Sequence, residues 1–185
     1  MSQELTILAY PDPRLRRPGV TVERFDDELR RIAARMFELM REARGVGLAA
    51  PQVGLPMRLF VMNHSQQPGD DRIIVNPVLL DPTGEELAEE GCLSLPNITT
   101  SVTRPTTITL EAQDEFGQPI RLTQTGYVAR IWQHECDHLN GVLIIDRAGP
   151  SAKMLVRPAL RELEAKWADA HPQGRKPKAR SKVRR

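Results

Sequence analysis

Cysteine is scarce: Cys92 and Cys136 are the only two in 185 residues. That excludes a disulfide-stapled secreted scaffold, and a single isolated disulfide is uncommon in a reducing compartment. The stretch MSQELTILAYPDPRLRRPG at the N-terminus holds no apolar core of the length a secretory signal needs. No segment approaches the roughly 18 apolar residues of a membrane span, so the chain is expected to be cytoplasmic and to have no membrane partner. Internal repeats are also lacking. The one glycine-rich segment is not followed by G-K-[ST] and lacks G-x-G-x-x-G spacing, which argues against a phosphate loop or a dinucleotide site.

What is present is an ordinary globular composition, 40% hydrophobic, in a chain long enough for one domain with a real core. The formal charge of +2 conceals an asymmetry, because residues 171–185 carry seven Lys or Arg and no acid. The remainder holds 19 basic against 24 acidic residues. The expected organisation is a single catalytic domain over 1–170 and a basic, unstructured tail over 171–185, which either solubilises the chain or seeks a polyanion.

Apolar residues at Leu29, Ile32, Ala33, Met36, Phe37 and Met40 keep helical spacing after an N-cap at Asp26 or Asp27, and Gly45 ends the run. Short β-rich runs follow at Arg58–Met62, Ile73–Asn76, Thr106–Ala112 and Ile120–Thr123, set apart by turn signals. A second helix is predicted from Thr125 to Asn140, with Gly141 as its stop. A third is predicted over 151–169, opened by Ser151 and kinked or restarted at Pro158. The sum is an α+β domain: a mostly antiparallel, bent sheet around a central helix.

That second helix carries His134-Glu135-Cys136-Asp137-His138, an H-E-x-x-H pattern. At 3.6 residues per turn the two histidines lie about 40° apart, so both imidazoles reach one ion with Glu135 close beside them. A catalytic centre of this kind needs a third protein ligand and an open position for water. Cys92, in Glu89-Glu90-Gly91-Cys92-Leu93-Ser94, is the best candidate, although a cysteine in such a setting is often only a small buried hydrophobe. Cys136 lies about 200° from His134 on the wheel and is assigned to the core. In Gly45-Val46-Gly47-Leu48-Ala49-Ala50-Pro51-Gln52 the glycines allow close backbone approach, and Gln52 has an amide able to donate to a developing oxyanion. Gln133 and Asp137 are candidates for orienting the ligand imidazoles, or are plain helix-surface residues.

The segments G-V-G-L-A-A-P-Q, E-G-C-L-S and Q-H-E-C-D-H, in that order, resemble the three signature segments of peptide deformylases, and the similarity extends over roughly residues 5–165. The resemblance implies removal of the N-formyl group from the formyl-methionine of new proteins. It implies Cys92, His134 and His138 as ligands of one divalent metal, with Fe2+ expected and Zn2+ also suited, and Glu135 as the acid/base residue. It further implies an oxyanion hole of Gln52 and the Leu93 N–H, backbone hydrogen bonds to substrate from Gly47, and a methionine pocket partly lined by Val46. Thr99 departs from those members that carry a substrate-contacting arginine nearby. The expected partners are formyl-methionyl nascent peptides and, through the basic tail, the ribosome. Two rivals remain: a zincin-type peptidase, which takes its third ligand downstream where only His171 is available, and an inactive homologue that binds RNA.

Overall fold

A computed structural model describes residues 5–172. Helix α1, Asp27–Glu42, is capped by Asp26, whose carboxylate accepts from the N–H groups of Glu28 and Leu29. Its stripe of Leu29, Ala33, Met36, Phe37 and Met40 packs on β1, Gly47–Ala49, and β2, Leu59–Met62. The sheet continues through β3, Arg72–Thr83, β6, Thr107–Gln113, and β7, Pro119–Thr125, in the order β1-β2-β3-β6-β7, antiparallel throughout. The strands β4, Glu86–Cys92, and β5, Leu95–Arg104, form a separate two-stranded hairpin.

The sheet bends where β3 slips register against β6, between Val75 and Val78 and again between Leu80 and Thr83. Asn76 and Asp81 sit in these two shifts with φ of 52° and 51°, a conformation that Asn and Asp tolerate better than bulkier residues. Asn76 also ties the bend down: its amide donates to Val22 O and Gln113 Oε1 and accepts from Val22 N–H.

Helix α2, Gly126–Leu139, runs through the middle, with Thr125 and Asn140 as its caps, as its sequence pattern predicts. Ala129, Ile131, Trp132, Cys136 and Leu139 pack against the sheet. A short helix α3, Ile144–Arg147, leads into α4, Pro150–Ala170. Three expectations need correction. Helix α4 starts with Pro150 at its first turn after Gly149 rather than at Ser151. At Pro158, for which a kink or a restart was expected, it does not restart; the carbonyl deprived of a donor belongs to Met154, an exposed residue. Finally, the sequence reading has no strand over 86–104, yet this is the hairpin that carries Cys92. The basic-tail expectation concerns residues that, apart from His171 and Pro172, lie outside the described ones. Among the described residues no helix is long and apolar enough to cross a membrane.

Gly141 closes α2 with φ of +73°, and a Cβ there would sit 2.5 Å from Arg16 O. Gly141→Ala is therefore expected to destabilise the protein by about 2 kcal/mol or more, through both the left-handed backbone and the collision. Chemical denaturation checks this; an unchanged midpoint would mean that the turn relaxes freely.

Candidate metal centre

Helix α2 presents His134 and His138 one turn apart, and their Nε2 atoms converge to 3.2 Å. The third donor comes from the hairpin. Between Gly91 and Cys92 the β4–β5 register shifts, so that Gly91 pairs with Thr99 but Cys92 with Leu95, and the tight turn delivers Cys92 Sγ to 3.3 Å from His138 Nε2. The three donor atoms lie within 4.8 Å of one another. Tetrahedral ligands about 2.0–2.3 Å from one ion are separated from each other by about 3.3–3.6 Å, so these spacings fit a shared cation. A thiolate with two imidazoles is a donor set that suits borderline divalent ions.

The neighbours of these ligands prepare them for that role. His134 Nδ1 lies 3.0 Å from Glu90 Oε2, and Glu90 is clasped by Arg104 through two bonds of 2.6 and 2.9 Å and by Arg130 at 2.8 Å. Burial alone would raise the Glu90 carboxyl, but hydrogen bonds from His134 and Arg104 and the charge of Arg104 outweigh it and hold the group well below the usual carboxylate range. Glu90 is thus a permanent anion that fixes the ring of His134 and keeps Nε2 turned toward the site. Burial depresses the His138 imidazole, reinforced by the charge of His134. His134 moves the other way: burial works against its protonation, and contact with Cys92 and Glu90 more than compensates.

This corrects the roles predicted for Gln133 and Asp137. Gln133 donates to the carbonyls of Pro105 and Ala129, and Asp137 binds Arg104 at 2.9 Å and Arg147 at 2.5 and 3.1 Å. Neither touches an imidazole; the acceptor at His134 is Glu90. The sequence reading passed over Glu90, although an acidic residue two places before a candidate ligand, together with the need of a ligating histidine for an acceptor, was an available signal. Arg104 and Arg130 gave no signal, because their partners are distant in sequence.

Glu135 faces the other way, into the cleft. Burial pushes its carboxyl up to about 7, opposed by the charges of His134 and Arg104. Its Oε2 is buried and has no hydrogen-bond partner among the described residues, and the same is true of His138 Nδ1. The carboxyl also explains Gly47: a Cβ there would come within 2.9 Å of Glu135 Cδ, so only glycine lets β1 pass. Gln52 is oriented unambiguously. The Ala49 N–H can only donate and takes Oε1 at 2.9 Å, which turns the NH2 toward Ser94 Oγ at 3.2 Å and Cys92 Sγ at 3.6 Å. Backbone bonds from Leu8 N–H to Gln52 O and from Tyr10 N–H to Ser94 O strap the two segments side by side.

Gln52, Cys92, Leu93, His134 and Glu135 line one cleft of about 380 Å³, together with Val46 and Gly47. Cys136 is outside it, in the core, with its thiol pushed up to about 12 by burial and forming no disulfide. His171, the ligand a zincin-type site would need, stacks on Trp167 instead.

Comparison with known proteins agrees with this geometry. The family model described as polypeptide deformylase matches residues 4–154. A peptide deformylase from Chromobacterium violaceum is 42% identical over 160 residues, covering 86% of this chain and 96% of that protein. A chloroplastic peptide deformylase 1B from rice is 40% identical over 169 residues, and there the match spans 90% of this chain but 63% of the longer relative. Among solved structures, a peptide deformylase from Plasmodium falciparum superimposes with a TM-score of 0.87 at 39% identity, covering 90% of this chain and 99% of that one.

The two cysteines are separable by experiment. Cys92→Ser replaces a soft thiolate with a poor hydroxyl donor and is expected to yield protein well below one metal per chain, whereas Cys136→Ser keeps about one. Elemental analysis of both variants checks this, and a metal-free Cys136→Ser protein would contradict the placement of that thiol.

Proposed function

Because the chain belongs to the polypeptide deformylase family, we propose that Cys92, His134 and His138 hold its metal ion, with Glu135, Gln52 and the Leu93 N–H carrying out the reaction beside it. The activity is hydrolysis of the N-formyl group from the formyl-methionine of nascent peptides, with release of formate. The observation that carries the assignment of residues is the convergence of one sulfur and two Nε2 atoms within 4.8 Å, next to a buried carboxylate oxygen with no partner of its own.

A divalent ion held by Cys92, His134 and His138 would supply Lewis acidity and make a water beside it more acidic. Glu135, whose Oε2 is buried and without a partner among the described residues, would take the proton of the water whose oxygen attacks the formyl carbon. Gln52 Nε2 and the Leu93 N–H donate to the formyl oxygen as negative charge grows on it. Glu135 then returns the proton to the leaving nitrogen, the C–N bond breaks, and formate and a free N-terminus result. Gly47, at the start of the edge strand β1, offers backbone to the peptide, and Val46, just before it, offers wall to the methionine side chain. Fe2+ is the resident ion in this reading, as the family resemblance implies; Zn2+ suits the same donors, and metal analysis of anaerobically purified protein separates the two. Residues 1–170 form the catalytic unit, acting in the cytoplasm where formylated chains emerge.

Glu135→Gln tests the assignment. The amide keeps the shape but can neither accept nor return a proton, so metal content should stay near one per chain while formate release from a formyl-methionyl peptide falls by about 10²- to 10⁴-fold. Retention of more than half the turnover would remove Glu135 from the mechanism.

The basic tail adds a second element to the proposal. Seven cations without an acid suit a phosphate-rich surface, and docking on ribosomal RNA raises the effective concentration of the emerging substrate. Removing residues 171–185 should reduce co-sedimentation with ribosomes at low salt and leave turnover of a free formyl-peptide unaltered; equal co-sedimentation of the two forms would rule the tether out.

A further inference from the structure

We infer that Arg44 selects nascent peptides with an acidic side chain within two residues after the formyl-methionine, an inference that rests on the deformylase reading of the cleft. Arg44 follows the last turn of α1, where Arg44 N–H donates to Arg41 O and Gly45 N–H to Met40 O. Its φ is 56°, the left-handed conformation that usually falls to glycine at such a helix end. An arginine held there needs a reason outside the backbone. The side chain is exposed, lines the cleft, and has no hydrogen-bond or ion-pair partner among the described residues. The other guanidinium on the cleft wall, that of Arg130, is buried and committed to Glu90, Glu86 and Val102 O. Arg44 is thus the wall cation whose charge is free to act on a ligand.

Its distance from the reacting group follows from β1. This strand pairs on one side only, with β2, and the cleft beside it is closed on the far wall by residues 89–93. Glu135 marks the reacting end, against Gly47. Arg44 lies three residues before Gly47, in the turn and bend that lead into β1, so a peptide laid past Gly47 meets it within at most about 10 Å. That is the span of the methionine and the two residues after it. Glu89, which also lines the cleft, carries the opposite charge. A peptide carboxylate on the β1 side is attracted to Arg44, and an ammonium group is repelled.

The test compares formate release from formyl-Met peptides bearing Asp, Ala or Lys at the second or third residue. The wild type is expected to favour Asp over Lys in kcat/KM by about two- to five-fold at low ionic strength, the range of an exposed ion pair, with the difference in KM and shrinking as salt is added. Arg44→Glu should invert the order. Arg44→Gly should abolish the preference without lowering Tm, because glycine adopts this φ freely, and a purely structural role for Arg44 would not produce that combination. The same Asp-to-Lys ratio in wild type and Arg44→Glu would overturn the inference. If the wild type turns over the Ala peptide without charge preference, only this inference falls; if it releases no formate from any of them, the deformylase reading falls with it.

Discussion

One buried carboxylate holds the two halves of the site together. Glu90 lies on the hairpin, its partners Arg130 and His134 lie on α2, and Arg104 reaches from the neighbouring strand to bind both Glu90 and Asp137 of α2. The hairpin pairs with no strand of the main sheet. Its position relative to α2, and so the distance of Cys92 from the two histidines, is fixed by this ion network and by the apolar cluster in which Leu95, Ile98 and Val102 meet Leu143 and Ile144. A buried charge that loses its partner costs about 3–5 kcal/mol, so each member of the network enforces the presence of the others. The spacing of the three candidate donors is therefore set in part by residues that are not donors themselves.

Helix α2 shows the same constraint from within. It is buried on nearly every side, and Arg130, Gln133, Glu135, Asp137 and His138 are among its buried residues. A helix of this composition survives in a protein interior only if its polar groups find partners. Most do: Arg130 and Asp137 in the ion network, Gln133 on two carbonyls. The exceptions are Oε2 of Glu135 and Nδ1 of His138. The unmatched oxygen lies at the cleft, where a reacting molecule would supply the missing bond. Satisfaction everywhere else makes the exception informative.

The close packing of β1 adds the other side of the cleft. Gly47 is forced by the Glu135 carboxyl, whereas a Cβ at Gly45 would crowd only Leu93 Cδ1, the flexible end of that side chain, at 2.7 Å. Gly47 brings β1 against the Glu135 carboxyl, and Gly45, just before the strand, packs beside Leu93. The glycine-rich segment thus serves approach between chain segments, as its small residues suggest, and the peptide-sized cleft is what remains between them.

The sequence by itself determined the elements whose information is local. Periodicity located α1 and α2, Asp26 was one of the two caps expected for α1, the ends of α2 fell within a residue of Thr125 and Asn140, and H-E-x-x-H placed two imidazoles on one face because helical geometry alone sets that spacing. The wheel also separated Cys136 from the ligands. Four of the strands were legible as short β-rich runs, and the order of three motifs pointed to the family. The hairpin β4–β5 was not read, although its run of Thr99-Thr100-Ser101-Val102-Thr103 is β-rich, because its inward positions include Thr100 and Arg104 rather than a purely apolar alternation. Pro158 was read as a kink or a restart, and the helix does not restart there. Above all, tertiary structure alone decided that Glu90, not Gln133 or Asp137, steadies His134, and that Gln52 turns its NH2 toward Cys92. The physical reason is the same in each case: a partner for a buried charge or amide is chosen by distance in space. Residues 14 to 44 positions apart along the chain leave no periodic trace of the choice.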